Sequence, residues 1–409
     1  MYETRWIRCS AALLMGLSLL VGAPKALAAE KSLSQANYEK LSEARDLMNG
    51  GNYGQAVNKL NDLLKKVYGD DYASAVVLQA LGYAHLNNDL KPLAIQDFER
   101  SLSRKALPSQ PTLEVQHLLG RLYAEEGHND KARATLEDWI ASKQKDPSAD
   151  DYISLANVYA QLADYDKGIA ALDEAMQMSD EVQESHYQLL VAMQYQSKRY
   201  QAATGTLKKM IERWPDNTRY WSQLANIYLQ AGEDKKAHSV LKLAFYDDRL
   251  EKETDILNLA RLGMSTGVPD QAARVLETAL DQDTIKSSEQ TWRLVAQAWR
   301  QANEIPQAVA ALDHVAEFGH VGEIRLRQAE LYMNHNDWEQ VLAYVNKAIS
   351  AGNLDSPGKA YLLKGMAYTR LNAYDQSLAA LEQARQYPDM APQAAQWSQY
   401  VARRKELNS

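Results

Sequence analysis

Cysteine is almost absent from this sequence, since Cys9 is the only one among 409 residues. A single thiol excludes a disulfide framework and any metal site built from several cysteines. Phenylalanine is also rare, with 3 residues against 23 tyrosines and 8 tryptophans, so aromatic packing relies on rings that carry a polar group. No run of basic residues is longer than the three that start at Arg403, and the net charge of −8 argues against non-specific nucleic-acid binding.

The N-terminus has the order of an export signal. Two arginines, the first at Arg5, precede a 12-residue apolar stretch that begins at Ala11, and a small-x-small tripeptide ends at Ala28. This order predicts a cleaved signal peptide over residues 1–28 and a periplasmic protein, with an uncleaved anchor as the alternative. Cys9 precedes the apolar stretch, where lipid attachment is not expected. No later segment is predicted to cross a membrane.

The most informative feature is a repeat of 33 to 38 residues that occurs ten times. Each repeat contains a small or short side chain and, twelve residues later, a second one. The first members are Ala44, Gly82, Gly120, Ala156, Val191, Ala225, Ala260, Ala296, Ala329 and Gly365. The second members are Ala56, Ala94, Ala132, Gly168, Ala203, Ala237, Ala272, Ala308, Val341 and Ser377. The fixed interval within repeats, with variable spacing between them, predicts a constant pair of packed elements joined by variable loops.

Both halves of a repeat have the periodicity of an amphipathic helix. In the sixth repeat the apolar residues of the first half are spaced i, i+3, i+4 and i+7. They are Trp221, Leu224, Ala225 and Tyr228. The second half follows Gly232 with the same spacing. Two helices approach closely only where neither projects a large side chain, so Ala225 and Ala237 are predicted to lie at the helix crossing.

These motifs resemble the tetratricopeptide repeat (TPR) family. The sixth repeat reproduces the signature of that family, and the repeats at 292–299 and 361–368 are close variants. The resemblance covers residues 37–388, although Val341 and Ser377 replace the usual alanine. It implies an all-α fold, a right-handed superhelical solenoid of about ten helix-turn-helix repeats whose concave groove binds a partner, and it implies no reaction.

The resemblance also suggests how the chain is organised. After the signal peptide we expect an N-terminal segment over 29–36, a solenoid over 37–390, and a C-terminal capping helix and tail over 391–409. A stack of repeats must cover the apolar face of its last member, which is the role expected of the capping helix. Residues 107–111 and 143–150 are predicted to be extended loops within the solenoid rather than domain boundaries.

No motif of a known catalytic centre is present. The sequence has no glycine-rich phosphate loop, no G-x-S-x-G elbow and no H-E-x-x-H motif. The closest histidines, His314 and His320, would need Glu317 or Glu323 to hold a metal, and surface histidines are the favoured interpretation. The repeats leave no segment for a separate catalytic domain. We therefore expect no enzyme activity, no cofactor and no bound metal.

Candidate binding residues lie on the first helix of each repeat, on the stripe offset from its packing face. In the family this stripe lines the concave groove, and Asn157 and Asn226 match positions that often hold the main chain of a bound peptide. The predicted groove residues are Asn157, Gln161, Gln188, Asn226, Gln230, Arg261, Arg293, Gln297 and Arg300. Amides suit a peptide backbone, and arginines suit a carboxylate. The alternative is that these are ordinary solvated side chains.

Three segments carry a narrower resemblance, namely 220–225, 267–277 and 297–302. Together with the export signal and the all-repeat layout, they are similar to the ten-repeat TPR proteins that accompany TonB–ExbB–ExbD systems in Gram-negative bacteria. The resemblance implies a scaffold that supports TonB-dependent transport through contacts with protein partners. The alternatives are an envelope-assembly scaffold for outer-membrane proteins, pili or exopolysaccharide, and an accessory binding subunit of a peptidoglycan enzyme.

Overall fold

The computed structural model of the protein describes residues 32–142, 145–179 and 181–407. The predicted signal peptide therefore lies outside the described residues. Within these ranges the chain forms 21 α-helices and no strand, and none of the helices combines the length and the apolar character that crossing a membrane requires. The chain divides into two compact units, Met1–Asp146 and Pro147–Ser409, and each is described by itself.

The N-terminal unit contains three helical hairpins, which correspond to the first three repeats. Its helices are α1 (Gln35–Asn49), α2 (Tyr53–Val67), α3 (Asp71–Asn87), α4 (Lys91–Ser103), α5 (Ser109–Glu125) and α6 (Asn129–Ala141). In every repeat the odd-numbered helix is called the first helix and the one that follows it the second helix. The two helices of each hairpin pack against each other, and each hairpin packs against the next.

The C-terminal unit contains seven further hairpins and a last single helix. The hairpin helices are α7 (Ala149–Gln161), α8 (Tyr165–Met178), α9 (Glu184–Gln196), α10 (Tyr200–Arg213), α11 (Arg219–Gln230), α12 (Asp234–Tyr246), α13 (Glu253–Ser265), α14 (Pro269–Asp281), α15 (Glu289–Gln301), α16 (Ile305–Glu317), α17 (Val321–Asn334), α18 (Trp338–Ala351), α19 (Pro357–Arg370) and α20 (Tyr374–Arg385). The last helix is α21 (Ala391–Leu407). The predicted all-α fold of helix-turn-helix repeats is confirmed.

The two predicted loops differ from expectation. Helix α5 begins at Ser109, so Pro111 lies in its first turn and the predicted extended loop over 107–111 is wrong. Proline is tolerated there because the first backbone N–H groups of a helix have no intrahelical partner. Helix α7 begins with a capping box, in which the Ser148 N–H donates to Asp151 Oδ2 at 2.9 Å. The division between the compact units falls within residues 143–150, which the sequence predicted as a loop inside one solenoid.

Every hairpin turn has the same backbone conformation. The residue five positions before the second small side chain has a positive φ in all ten repeats. These residues are Gly51, Asp89, Gly127, Ala163, Lys198, Gly232, Gly267, Asn303, Asn336 and Asn372. The next N–H then donates to a carbonyl of the first helix, as from Glu233 to Tyr228 at 2.8 Å. This left-handed helix end satisfies the terminal carbonyls and explains the constant interval of twelve residues.

The small residues of each repeat lie where its two helices cross. Ala225 and Ala237 are both fully buried, as the sequence predicted. At Gly82 a Cβ atom would lie only 2.5 Å from the Phe98 ring, so glycine is required there by the size of its neighbour. Ser377 departs from the usual alanine without leaving a polar atom unpaired, because its hydroxyl donates to the Gly365 carbonyl at 2.8 Å.

Candidate binding site on the first helices of the C-terminal unit

The first helices of the C-terminal unit present one exposed stripe of side chains, which we call the first-helix face. Among the predicted binding residues, all but one are exposed on this face; they are Asn157, Gln161, Gln188, Asn226, Gln230, Arg261, Gln297 and Arg300. Arg293 is the exception, since it is partly buried. The opposite stripe of the same helices is buried in the core, for example Leu155 in α7 and Leu224 in α11.

Some amides of the first-helix face already have partners within the protein. The Asn157 Nδ2 group donates to the Ile153 carbonyl of its own helix at 2.9 Å. Gln188 donates to the Tyr220 hydroxyl of the next repeat at 3.2 Å. That hydroxyl donates to Glu184, and burial together with this bond raises the pKa of Tyr220. Gln188 thus helps to join two repeats, and binding a ligand would require it to exchange partners.

A small cavity of about 220 Å³ opens on the first-helix face at the eighth and ninth repeats. Arg293 and Arg300 of α15 and Arg327 of α17 line it together with Gln297, and its apolar walls are Ala296, Leu312 and Leu331. No acidic side chain lines it. Guanidinium groups pair with carboxylates through two parallel hydrogen bonds. This cavity is therefore suited to a carboxylate that is attached to an apolar stem.

A larger cavity of about 550 Å³ adjoins the same residues, because Arg293 and Arg327 also line it. Its other charged side chains come from α15, from α17, from α19 and from the loop before α19. They are Glu289, Glu323, Glu330, Asp355 and Lys359, and the His320 imidazole also lines the cavity. Two ion pairs lie in its lining: Arg293 lies 2.7 Å from Glu289 of the same helix, and Lys359 of α19 lies 2.5 Å from Glu330 of α17. Unlike the small cavity, the large one contains both signs of charge.

The structure brings together three of the nine predicted residues, namely Arg293, Gln297 and Arg300. The other six lie on the same exposed stripe but line neither cavity. Arg327 was not predicted. It lies two positions before Ala329, whereas the predicted residues mostly lie three positions before or one position after the first small residue of their repeat. Extending that stripe to the ninth repeat gives Leu326 and Glu330, so the sequence pattern does not indicate Arg327. The ion pair of Arg293 with Glu289, four residues earlier on the same helix, was also missed.

The histidines considered as metal ligands have other surroundings. His314 stacks on Trp292, with ring centroids 3.9 Å apart, and its Nδ1 lies 3.2 Å from Glu317. His320 lines the large cavity instead. Across residues 32–142, 145–179 and 181–407, no three side chains of His, Cys, Asp or Glu are grouped as a metal site would require.

Comparison with known families agrees with the observed hairpins. Models described as "Tetratricopeptide repeat" match residues 41–111, 152–181, 194–253 and 326–394, which together make up more than half of the sequence. The chain belongs to the tetratricopeptide repeat family. TPR arrays are scaffolds for protein–protein interaction, and we assign that general role to this TPR protein. None of the curated proteins compared with it is a match.

Several solved TPR structures are similar to parts of this TPR protein. A TPR protein from Parabacteroides merdae is 14% identical, with a TM-score of 0.37, over 65% of this chain and 99% of its own. MamA from Desulfovibrio magneticus is 17% identical, with a TM-score of 0.36, over 44% of this chain and 96% of its own. The TPR2AB domain of yeast Sti1, solved in a complex with pHSP90, is 17% identical, with a TM-score of 0.28, over 62% of this chain and 98% of its own.

Proposed function

We propose that this TPR protein is an exported, periplasmic adaptor that binds a partner protein on the first-helix face of its C-terminal unit and catalyses no reaction itself. The observation that carries the proposal is the small cavity, where Arg293, Arg300 and Arg327 converge without an acidic neighbour in the lining. The whole chain has a net charge of −8. The positive charge of this cavity is therefore opposite in sign to the net charge of the protein.

The arginines of the small cavity differ in how far their charge is already compensated. Arg293 donates to Glu289 through two of its nitrogens. Arg300 and Arg327 form no ion pair with any described residue. A carboxylate of the partner would therefore gain two uncompensated guanidinium groups, partly shielded from water by Leu312 and Leu331. Exposed amides such as Asn226 and Gln230 would serve the backbone of the same partner segment.

The finer part of the proposal concerns the partner itself. The export signal and the resemblance of 220–225, 267–277 and 297–302 to TonB-associated TPR proteins support a component of a TonB–ExbB–ExbD system as the partner. A role in TonB-dependent transport would need no chemistry from the adaptor, because energy transduction is carried out by the other components. An acidic segment of such a component is the ligand that the small cavity would accept.

Site-specific photo-cross-linking in intact cells tests the proposal. A photoreactive residue at Gln230 or Gln297 on the first-helix face should give one defined adduct with an envelope protein, identified by mass spectrometry. The matched control is Lys209, which is exposed on the second helix α10. Adducts from Lys209 alone, or none from the face, would contradict the proposed binding surface. An adduct with an outer-membrane assembly, pilus or polysaccharide-export protein would favour the envelope-assembly scaffold over the TonB role.

Export is tested separately. We expect the protein in the periplasmic fraction, with a mature N-terminus at Ala29 by mass spectrometry. Deleting residues 1–28 should retain it in the cytoplasm. A full-length protein that remains cytoplasmic with its N-terminus intact would overturn the assignment to the periplasm, whatever the result of cross-linking.

A further inference from the structure

Most of the charges that line the large cavity are compensated by the protein. Arg293 pairs with Glu289 at 2.7 Å, and Lys359 pairs with Glu330 at 2.5 Å. A third carboxylate, Glu323, accepts the backbone N–H of Asp355 at 2.7 Å. The last two contacts join α17 to the start of α19, whereas the first lies within α15. Together they leave few charges available to a ligand.

Two opposite charges remain in the same cavity. The Asp355 carboxylate and the Arg327 guanidinium are both exposed, and neither forms an ion pair with a residue in the described part of the chain. They do not pair with each other, although both line the large cavity. Arg327 also lines the small cavity, so it forms the wall that the two cavities share.

The arrangement has a direction along α17. Glu323 near the start of the helix holds the loop that carries Asp355, Arg327 follows one turn later, and Leu331 of the small cavity follows after another turn. Eight residues of helix span about 12 Å. An extended peptide covers that length with three to four residues at about 3.3 Å each. A ligand whose charged groups reach both ends of this stretch of α17 therefore carries them about this far apart.

We infer that the partner segment is dipolar: it carries an acidic group that binds in the small cavity and, three to four residues away, a basic side chain that binds beside Asp355 in the large cavity. This inference rests on the proposed function and names the chemistry of the partner. A uniformly acidic segment would gain the three arginines but would place a second carboxylate beside Asp355 and Glu323. Repulsion between like charges in that position opposes binding.

Synthetic peptides provide the test. The probes are blocked, fluorescently labelled peptides with two charged positions separated by three neutral residues. The four probes carry Lys then Glu, Glu then Lys, Glu twice or Lys twice. Binding to the mature full-length protein is measured by fluorescence anisotropy at low salt. We expect one Lys/Glu order to bind at least about tenfold more tightly than the Glu/Glu and Lys/Lys peptides, and the preferred order gives the direction of the bound chain.

Variants assign the two charges to their cavities. Arg327→Gln should weaken every Glu-containing peptide, whereas Asp355→Asn should remove the preference for Lys/Glu over Glu/Glu. Arg403→Gln is the matched control, because Arg403 is an exposed arginine on α21 that lies outside the first-helix face and lines neither cavity. It should leave all affinities unchanged. All three side chains are exposed, so the thermal unfolding midpoint should not move, which separates a binding defect from a folding defect.

Several outcomes would overturn the inference. These are equal binding of Glu/Glu and Lys/Glu, no binding of any peptide, or an unchanged preference in Asp355→Asn. The proposed function is judged independently by the adducts formed in cells. Adducts on the first-helix face combined with equal peptide affinities would reject the dipolar segment and leave the adaptor in place. Absence of such adducts would reject the adaptor surface itself.

Discussion

At the scale of single residues, the left-handed position of the hairpin turn can be recognised from the residue type in most repeats but not in all. Glycine, asparagine or aspartate occupies the left-handed position in eight of the ten repeats, and these residues tolerate positive φ best. Ala163 and Lys198 occupy it in the other two. No local signal marks those two positions. Their conformation follows from the same helix-ending hydrogen bond as in the other repeats, in which the next N–H donates to the first helix, from Asp164 to Tyr159 at 2.9 Å and from Arg199 to Gln194 at 2.8 Å.

The first prediction concerns Ala163, which has a φ of +58° and an exposed side chain. Replacing it by glycine should stabilise the protein, because relief of left-handed strain outweighs the greater backbone entropy of an unfolded glycine. We expect a gain of about 0.5–1 kcal/mol in the free energy of unfolding. Urea denaturation followed by circular dichroism measures this difference.

The control for Ala163→Gly is the reverse change at an equivalent turn. Gly232 has a φ of +73°, and a Cβ atom added there would contact nothing within 4 Å. Gly232→Ala should therefore destabilise the protein through backbone strain alone. Equal signs for the two substitutions would show that turn conformation does not determine these energies.

At the scale of helices, the contact between Gly82 and Phe98 shows how the size of one side chain at the helix crossing limits the size of the other. Repeats with alanine at the first position have a smaller residue than phenylalanine at the position equivalent to Phe98, such as Leu60 in the repeat of Ala44. In the second repeat, phenylalanine fills the groove and leaves no room for a Cβ on α3. Leucine can exclude a Cβ as well, because one added at Gly120 or Gly365 would lie 2.9 Å from Leu136 or 2.6 Å from Leu381. The sequence therefore predicted the helix crossing but not how closely the opposite side chain approaches it.

The second prediction is a coupling between these two positions. Gly82→Ala alone should destabilise the protein, because overpacking costs about 1–3 kcal/mol and exceeds the gain in helix propensity of about 1 kcal/mol. In a Phe98→Leu background the same change should cost less, because other repeats combine alanine with leucine at these two positions. A double-mutant cycle of unfolding free energies measures the coupling. Additive effects would mean that the ring moves away freely and that glycine is not required at this crossing.

The candidate site could be predicted only in part, because a helix face follows from one segment of sequence but a cavity between helices does not. Helical periodicity placed Arg293, Gln297 and Arg300 on one exposed face, because that face follows from the residues of a single helix. The cavities depend on how α15 and α17 are placed by the hairpin between them. Arg327 joins the two arginines of α15 through this placement, which is set by many inter-repeat contacts and by no local motif.

At the scale of the whole molecule, each of the two units is a series of hairpins whose apolar faces are covered by their neighbours within the unit. In the C-terminal unit this series closes at α21, which packs on α20 and α19. Ala394 and Val401 of α21 form one apolar cluster with Leu362 and Leu381. In such an array each repeat is stabilised by its own packing and by its nearest neighbours. Damage at the end should therefore remain near the end.

The last prediction tests this locality with Val401→Ala, since Val401 is completely buried under the last hairpin. The lost contacts and the cavity left behind should cost about 2 kcal/mol, equivalent to a fall of about 30-fold in hydrogen-exchange protection where opening is local. We expect that fall in α19, α20 and α21, with α7 and α8 unchanged. Tyr400→Ala is the control, because Tyr400 is 45% exposed on the same helix. An equal loss of protection throughout residues 147–407 would show instead that the C-terminal unit opens as one cooperative body. In that case the cavities at α15 and α17 would open whenever the end of the chain opens.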